Sequence, residues 1–281
     1  MKYKLIYFIV IVFSFVSYGQ KTAYTEDSVK VLLYSNGTWT YAQDATSAND
    51  STILQRIEIP FVQLNDEIVT HYAYELSYNE SHEEANWVAY ELTKDEIIPK
   101  YKRTNKFIPD PKVPTGSADD ADYVGSGYDR GHLAPAADMA WSKVAMAESF
   151  YFSNMTPQVP GFNRGVWKRL EELVRKWAKE YGKLYIVTGP VLSKGLKKIG
   201  HDSVSVPEYF YKVILVYSSK AKKAIGFIIK NESSNKLLKS FAIPVDSVEA
   251  VTNLDFYPLL PDDQEIKLES KLDVNQWDFD P

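Results

Sequence analysis

The 281-residue chain contains no cysteine. That absence excludes disulfide staples, thiolate nucleophiles, Cys-ligated zinc and Cys-ligated iron–sulfur clusters. Histidine is scarce as well: the 4 residues are His71, His82, His132 and His201, and none stands in the helical H-E-x-x-H zinc pattern. A P-loop and a G-x-S-x-G nucleophile elbow are missing too. Past the amino terminus no run approaches the roughly 20 apolar residues that span a bilayer. What remains is 45% hydrophobic, 14% aromatic and 25% charged, the profile of a folded globular chain. Its length allows one large domain or two small ones.

Lys2 and Lys4 precede a run from Leu5 to Val16 that is apolar except for Ser14, and Ser17, Tyr18 and Gly19 follow. A basic start, an apolar run of this length and small residues at its end read as a signal peptide over residues 1–19, cleaved near Gly19–Gln20. The alternative is an uncleaved anchor. The first reading predicts a secreted or periplasmic protein with no membrane association once the signal is removed. Loss of Lys2 and Lys4 leaves 30 basic against 37 acidic residues, a net of −7. A chain of that sign does not hold a polyanion by global charge, so any such attraction must be local.

Residues 20–55 differ in character from the rest. Val29–Tyr34 and Thr38–Tyr41 flank Ser35-Asn36-Gly37 and read as a hairpin turning at Asn-Gly, with a polar linker from Gln43 to Ser51. This stretch reads as a small accessory module before a main domain over residues 56–281. In that domain, strand-like runs at 72–78, 87–92, 184–187, 210–216 and 224–229 mix with helical segments without a βαβ rhythm. The pattern predicts an α+β domain whose central sheet is mixed or antiparallel and flanked by helices. Thr93 and Glu96 form a capping box for a short helical turn, and Ser142 caps a helix to about Phe150. Residues 99–128 form a long loop rich in Pro, Asp and Gly, a length uncommon without a function. The best-defined helix runs from Gly165 to Tyr181 and stops at Gly182. Val166, Leu170, Leu173, Val174, Trp177 and Tyr181 give it a core face, while Lys168, Glu171 and Arg175 fall on another stripe.

Chemistry concentrates at Tyr128–Pro135. Arg130 and His132 share one face of an extended segment, and Gly131 between them permits close backbone approach. The structural alternative is an Asp129–Arg130 ion pair beside an ordinary histidine. Asn163 is either a helix N-cap or a neutral oxygen ligand for magnesium. Glu171 and Arg175 are either an i,i+4 pair worth only about 0.3–0.5 kcal/mol, or part of a groove shared with Asn163. If the Arg130–His132 segment lines that groove, it gathers a base, two cations, a carboxylate and a metal ligand. Such an inventory suits a phosphodiester better than an acyl group, because phosphoryl transfer needs mainly positioning and charge stabilisation.

Asp129-Arg130-Gly131-His132 resembles the D-R-G-H signature of the DNA/RNA non-specific endonucleases, the ββα-metal nucleases of the Serratia nuclease and endonuclease G type. Phe152–Gln158 is similar to the family's S-N-x-x-P-Q segment, and Asn163 through Glu171 to its N-x-G-x-W-x-x-L-E helix, with Arg175 at the family spacing. Asn86–Glu91 and Val206–Lys212 are similar too, so the resemblance covers roughly Ile57 to Pro261. It implies a ββα-metal nuclease fold and hydrolysis of DNA and RNA to products with 5′-phosphate ends. It implies that His132 is the general base and Asn163 the direct protein ligand of Mg²⁺, with Mn²⁺ able to substitute. Arg130 and Arg175 then hold the phosphate, Glu171 orients water at the metal, and Asp129 and Asn154 support the site. Arg164, Lys168, Arg169, Arg175, Lys176, Lys179 and Lys183 concentrate positive charge around the helix, a local track in which Arg164 and Lys168 join Arg130 and Arg175 as substrate contacts. DNA and RNA are the expected partners, and a homodimer is compatible with this reading. The disulfides of some secreted relatives cannot exist here.

Two alternatives keep different parts of this reading. A metal-dependent phosphodiesterase acting on a non-nucleic-acid substrate, such as a nucleotide-linked surface polymer, suits the chain's acidity. A catalytically silent nucleic-acid-binding surface protein predicts a damaged site, whereas His132, Asn163, Glu171 and Arg175 are all present. His71, His82 and His201 are assigned to surface or core roles, and Gly125-Ser126-Gly127 to a turn.

Overall fold

The computed structural model describes residues 56–280 in full, together with the backbone of three short strands nearer the amino terminus. The signal-peptide reading of residues 1–19 and the linker at 43–51 lie outside the described residues. Strands β1 (Lys21–Tyr24), β2 (Lys30–Leu33) and β3 (Trp39–Tyr41) form an antiparallel sheet in that order. Val31 faces Tyr41 and Leu33 faces Trp39, the register of a hairpin about Asn36-Gly37. The turn itself lies outside the described residues, and β1 is a strand that the sequence reading did not anticipate.

Along the main body the order is β4 (Glu67–Thr70), β5 (Glu75–Asn79), β6 (Glu84–Thr93), α1 (Asp120–Tyr123), β7 (Asp129–His132), α2 (Lys143–Glu148), β8 (Met155–Gln158) and α3 (Lys168–Tyr181). There follow β9 (Lys183–Pro190), β10 (Lys197–Ile199), β11 (Val204–Val206), β12 (Tyr209–Tyr217), β13 (Lys222–Lys230), β14 (Ala242–Ile243), α4 (Val245–Thr252) and α5 (Asp262–Glu269). Seven strands build the central sheet in the order β14-β13-β12-β9-β6-β5-β4, and every neighbouring pair is antiparallel. The architecture is the expected α+β type with an antiparallel sheet, and short hairpins connect β4 to β5, β5 to β6 and β12 to β13.

The sheet is covered on both faces, and the two-residue period of its strands sorts side chains between two cores. Val88, Tyr90 and Leu92 of β6, with Phe210, Ile214 and Val216 of β12, join Leu170, Val174 and Trp177 of α3 on one face. Trp87 and Ala89, with Tyr211, Val213 and Leu215, join Val245, Val248 and Leu268 of α4 and α5 on the other. Each large apolar side chain buried this way contributes roughly 1.5–3 kcal/mol, so the α3 stripe read from the sequence anchors that helix by packing. Gly182 ends α3 at φ 87°, a conformation that favours glycine.

Local departures from the expected elements have simple causes. Glu96 accepts from the Thr93 backbone N–H at 2.8 Å and its hydroxyl at 2.9 Å, but Pro99 follows and only a turn forms. Ser142 caps α2 as expected, accepting from Ala145 N–H at 3.4 Å, although α2 ends at Glu148. The long loop at 99–128 carries the one-turn α1, capped by Asp119. Regular α-helix begins at Lys168 rather than Gly165, because Phe162–Trp167 forms a π-helical turn with Gly165 off helical angles (φ −111°, ψ −106°).

Candidate active site

The two motif segments are one local structure. β7 carries Asp129-Arg130-Gly131-His132, and β8 carries Met155-Thr156-Pro157-Gln158; they pair antiparallel, Asp129 to Gln158 and His132 to Met155. The pair leads into the π turn and α3, giving a strand–strand–helix unit set against the central sheet. Asn154, just before β8, ties the return: its Oδ1 accepts from Ala134 N–H at 2.9 Å, and its Nδ2 donates to the carbonyls of Ala134 (3.0 Å) and Ser149 (2.8 Å). These bonds tie the chain just beyond His132 to the residue that follows α2 and use the whole Asn154 amide.

Gly131 has a steric reason to be glycine. A Cβ there would lie 2.1 Å from Gln158 Cδ and 2.3 Å from its Oε1, in the interior of the β7–β8 ladder. Gly131→Ala is therefore expected to cost about 1–3 kcal/mol by overpacking. Urea denaturation measures this, and Gln158→Ala in the same chain should recover part of the loss; an unchanged midpoint for the single variant refutes the steric account.

His132 is buried, 7% exposed, with its Nε2 without a hydrogen-bond partner. Its ring meets Phe150 edge-on at 4.9 Å and Phe107 at 5.9 Å. Burial first, then the cation of Arg103, pushes its pKa down to about 3, against a hydrogen bond to the Arg130 backbone. The imidazole is thus neutral at pH 7 and offers a free acceptor nitrogen.

Asn163 and Arg164 sit in the π turn, and π turns recur at functional sites because they step out of the helical rhythm. No N-cap bond is made there: Asn163 Nδ2 instead donates to Asp129 Oδ2 at 2.9 Å. That bond fixes the amide's orientation and leaves its oxygen as the free end. Asp129 is gripped by Arg164 through two bonds, 2.8 Å to Oδ2 and 2.6 Å to Oδ1. Arg130 turns away from its sequence neighbour and pairs with Asp120 of α1 at 2.5 Å, its guanidinium 4.9 Å over the Phe107 ring. The local Asp129–Arg130 pair considered above does not form.

A second cluster lies along α3. Arg175 donates to Asp138 Oδ1 at 2.8 Å, and the Tyr90 hydroxyl donates to Asp138 Oδ2 at 2.8 Å. Burial raises the Glu171 carboxyl to about 7; Lys212 opposes that, Asp138 adds to it, and Arg175 and Arg103 oppose it. Lys212 projects from β12 onto this side of the sheet, 1% exposed, with Nζ unpartnered and 5.0 Å over the Trp167 ring. Burial lowers its pKa to about 8 while Glu171 raises it. Arg103 acts electrostatically on both His132 and Glu171, which links the strand segment to the helix.

The basic track around the helix is only partly available. Arg169 donates to the carbonyls of Ser234 and Lys236, Lys176 pairs with Asp278, and Lys183 pairs with Glu91. Lys168 is exposed and lies 3.7 Å from Glu172, its i+4 neighbour. Arg103, Asp138, Tyr90 and Phe107 were missed by the sequence reading. For Arg103 and Phe107 the signal was the long Pro/Asp/Gly loop that carries them. Among the other histidines, His71 is buried at 2.8 Å from Asp110, His82 bonds Ser205 and His201 is exposed.

The strand–strand–helix unit, with a buried neutral histidine on its first strand and an asparagine where the helix begins, defines the ββα-metal nuclease fold. Residues 55–263 match the DNA/RNA non-specific endonuclease family, and the chain belongs to that family. It is 34% identical over 244 residues to "Nuclease EXOG, mitochondrial" of Mus musculus, covering 80% of this chain and 66% of that protein. It is 38% identical over 205 residues to "Nuclease C1" of Cunninghamella echinulata var. echinulata, covering 67% of this chain and 81% of the relative. A solved chain from the crystal structure of the EndoG/EndoGI complex superposes with a TM-score of 0.66 at 32% identity, over 71% of this chain and 89% of that one. The chain thus spans about two thirds of the length of the mouse relative.

These relatives correct one expectation. The mouse protein and its human, zebrafish and fission-yeast counterparts are named as mitochondrial nucleases, which overturns the reading of export to a secreted or periplasmic location. Residues 1–19 contain no acidic side chain, a property that export leaders share with organelle-targeting segments, so composition there does not separate the two. Among the described residues no helix is long and apolar enough to cross a membrane.

Proposed function

We propose that this chain is a metal-dependent endonuclease that hydrolyses phosphodiester bonds of both DNA and RNA, with residues 56–281 as the nuclease domain and residues 20–55 as an accessory module. The observation that carries the reading is the buried, neutral His132 with a free Nε2, on a strand whose first residue, Asp129, orients Asn163. His132 Nε2 takes a proton from the attacking water as its oxygen bonds to phosphorus and the P–O3′ bond breaks. Solvent protonates the departing O3′, so a 5′-phosphate and a 3′-hydroxyl result, and neither product requires the sugar to be read.

The donor set fits magnesium. Asn163 presents an amide oxygen fixed by its bond to Asp129, and Mg²⁺ binds through few protein oxygens while keeping several waters. When bound, the ion supplies charge stabilisation at the leaving oxygen, and Mn²⁺, with similar oxygen preference, serves in its place. Arg130 and Arg175 contact the phosphate. Both are held in advance by carboxylates, Asp120 and Asp138, so they are aimed before substrate arrives. Glu171 would orient water at the ion, Asp129 holds Asn163 and Arg164 in the π turn, and Asn154 ties the chain beyond His132. Arg164 and Lys168, the exposed cations at the helix start, meet the polymer backbone.

The test is cleavage of supercoiled plasmid and of a structured RNA, each with Mg²⁺, with Mn²⁺ and with a chelator. Cleavage of both polymers, stopped by the chelator, is the expected result. Asn163→Ala should shift the Mg²⁺ concentration for half-maximal cleavage upward by about tenfold or more. An unchanged Mg²⁺ titration removes Asn163 as the ligand, and intact DNA and RNA from folded protein overturn the proposal.

A further inference from the structure

On the face of the sheet opposite His132, α4 and α5 pack against β12 and β13 and set carboxylates against one another. Asp246 and Glu249 stand three apart on α4, and Glu265 and Glu269 four apart on α5, so each pair shares a helix face. Oxygens of Asp246, Glu249 and Glu269 all lie within 4.8 Å of one another. Among the described residues no lysine, arginine or histidine forms an ion pair with Asp246, Glu249, Asp255, Glu265 or Glu269. Acid clusters on a wet surface are common, but this one is not all surface. Glu269 is 4% exposed and its Oε1 has no hydrogen-bond partner. A buried carboxyl facing like charges is costly to ionise, and among the described residues no cation pairs with it.

We propose that Asp246, Glu249 and Glu269 form a binding site for one calcium-type divalent cation, clamping α4 to α5. Calcium accepts 6–8 oxygens at about 2.3–2.6 Å, so any two of its ligands lie at most roughly 4.6–5.2 Å apart, and three oxygens within 4.8 Å of one another can surround one ion. Magnesium demands a near-ideal octahedron and keeps most of its waters, whereas calcium accepts several carboxylates in flexible geometry, which suits three acids from two helices. The graded burial supplies a route: Asp246 is exposed, Glu249 half-buried and Glu269 buried, so the ion enters at Asp246 and keeps water there. Glu249 Oε1 also accepts from the Phe256 N–H at 2.8 Å, which fixes that carboxylate in place.

The experiment uses the full chain carrying Asn163→Ala, so that the proposed magnesium ligand is absent, and reads binding and stability rather than cleavage. Calorimetric titration with CaCl₂ should give one ion per chain, and saturating Ca²⁺ should raise Tm by about 3 °C or more. Adding Asp246→Asn, at the exposed end, should weaken Ca²⁺ binding by about tenfold without lowering the metal-free Tm. Glu249→Gln together with Asp246→Asn should abolish the calcium shift. No bound Ca²⁺ at millimolar concentration, or a shift that persists in the double variant, overturns the proposal. Because nuclease activity is never read, failure here is separable from failure of the nuclease reading.

Discussion

His132→Ala is expected to lower phosphodiester cleavage by about 10²–10⁴-fold, the range of a positioned general base. The fold should survive. The ring sits between Phe150 and Phe107, and its Nε2 makes no bond that the structure would miss. The two aromatic rings lose an edge contact, while an unsatisfied buried nitrogen is removed. Plasmid cleavage under saturating Mg²⁺, with circular dichroism as the folding check, decides the matter; a variant within tenfold of wild type removes His132 as the base. The same residue sets a pH signature. Its folded pKa is about 3 against an ordinary 6.5, so between those values the unfolded chain takes up a proton that the folded site refuses. Its contribution therefore makes the protein lose stability as pH falls from about 6.5 toward 3. In His132→Ala that component is gone, and urea midpoints at pH 7 and pH 4 should lie closer together than in wild type.

The second large effect concerns stability. Asp138→Ala is expected to cost about 3–5 kcal/mol, because it strands the guanidinium of Arg175 in a half-buried position and leaves the Tyr90 hydroxyl without its acceptor. The Asp138 side chain is only 1% exposed, so water does not readily replace it. Glu171 lies near enough to offset part of the loss, which favours the lower end of the range. Asp138→Asn, which keeps an acceptor for Tyr90, should cost less. Chemical denaturation of the three proteins measures the series, and a loss under about 1 kcal/mol for Asp138→Ala would show that the Arg175 pairing does not stabilise the fold.

The legible parts of this molecule were those written in local pattern. The apolar runs at 184–187, 210–216 and 224–229 became β9, β12 and β13, and the α3 core stripe was correct at Leu170, Leu173, Val174 and Trp177. The D-R-G-H segment proved extended, with its glycine under a neighbouring side chain. Less legible was anything fixed by partners far along the chain. Asp138 has no local mark, since its meaning comes from Arg175 and from Tyr90 on a sheet strand. Lys212 reads as an ordinary charge in a strand until the period of β12 turns it toward Trp167. The π turn at Phe162–Trp167 was legible only as the entry and first residues of a helix starting at Gly165, and only the hydrogen-bond pattern distinguishes it. The pairing of Asp129 with Arg164 rather than Arg130 likewise depends on that turn.

The sheet order also imposes a schedule on synthesis. Central strand β6 ends at Thr93, and its partner β9 begins at Lys183, so about 90 residues must be made before that edge can close. At ribosomal rates this is roughly 5–20 s during which Trp87 to Leu92 offers an unpaired, apolar edge. The DRGH strand and its β8 partner emerge within the same interval and can zip together first, being far closer in sequence. A cell making this protein therefore has to shelter a half-built sheet, and its yield should depend more on what binds that edge in those seconds than on the stability of the finished fold.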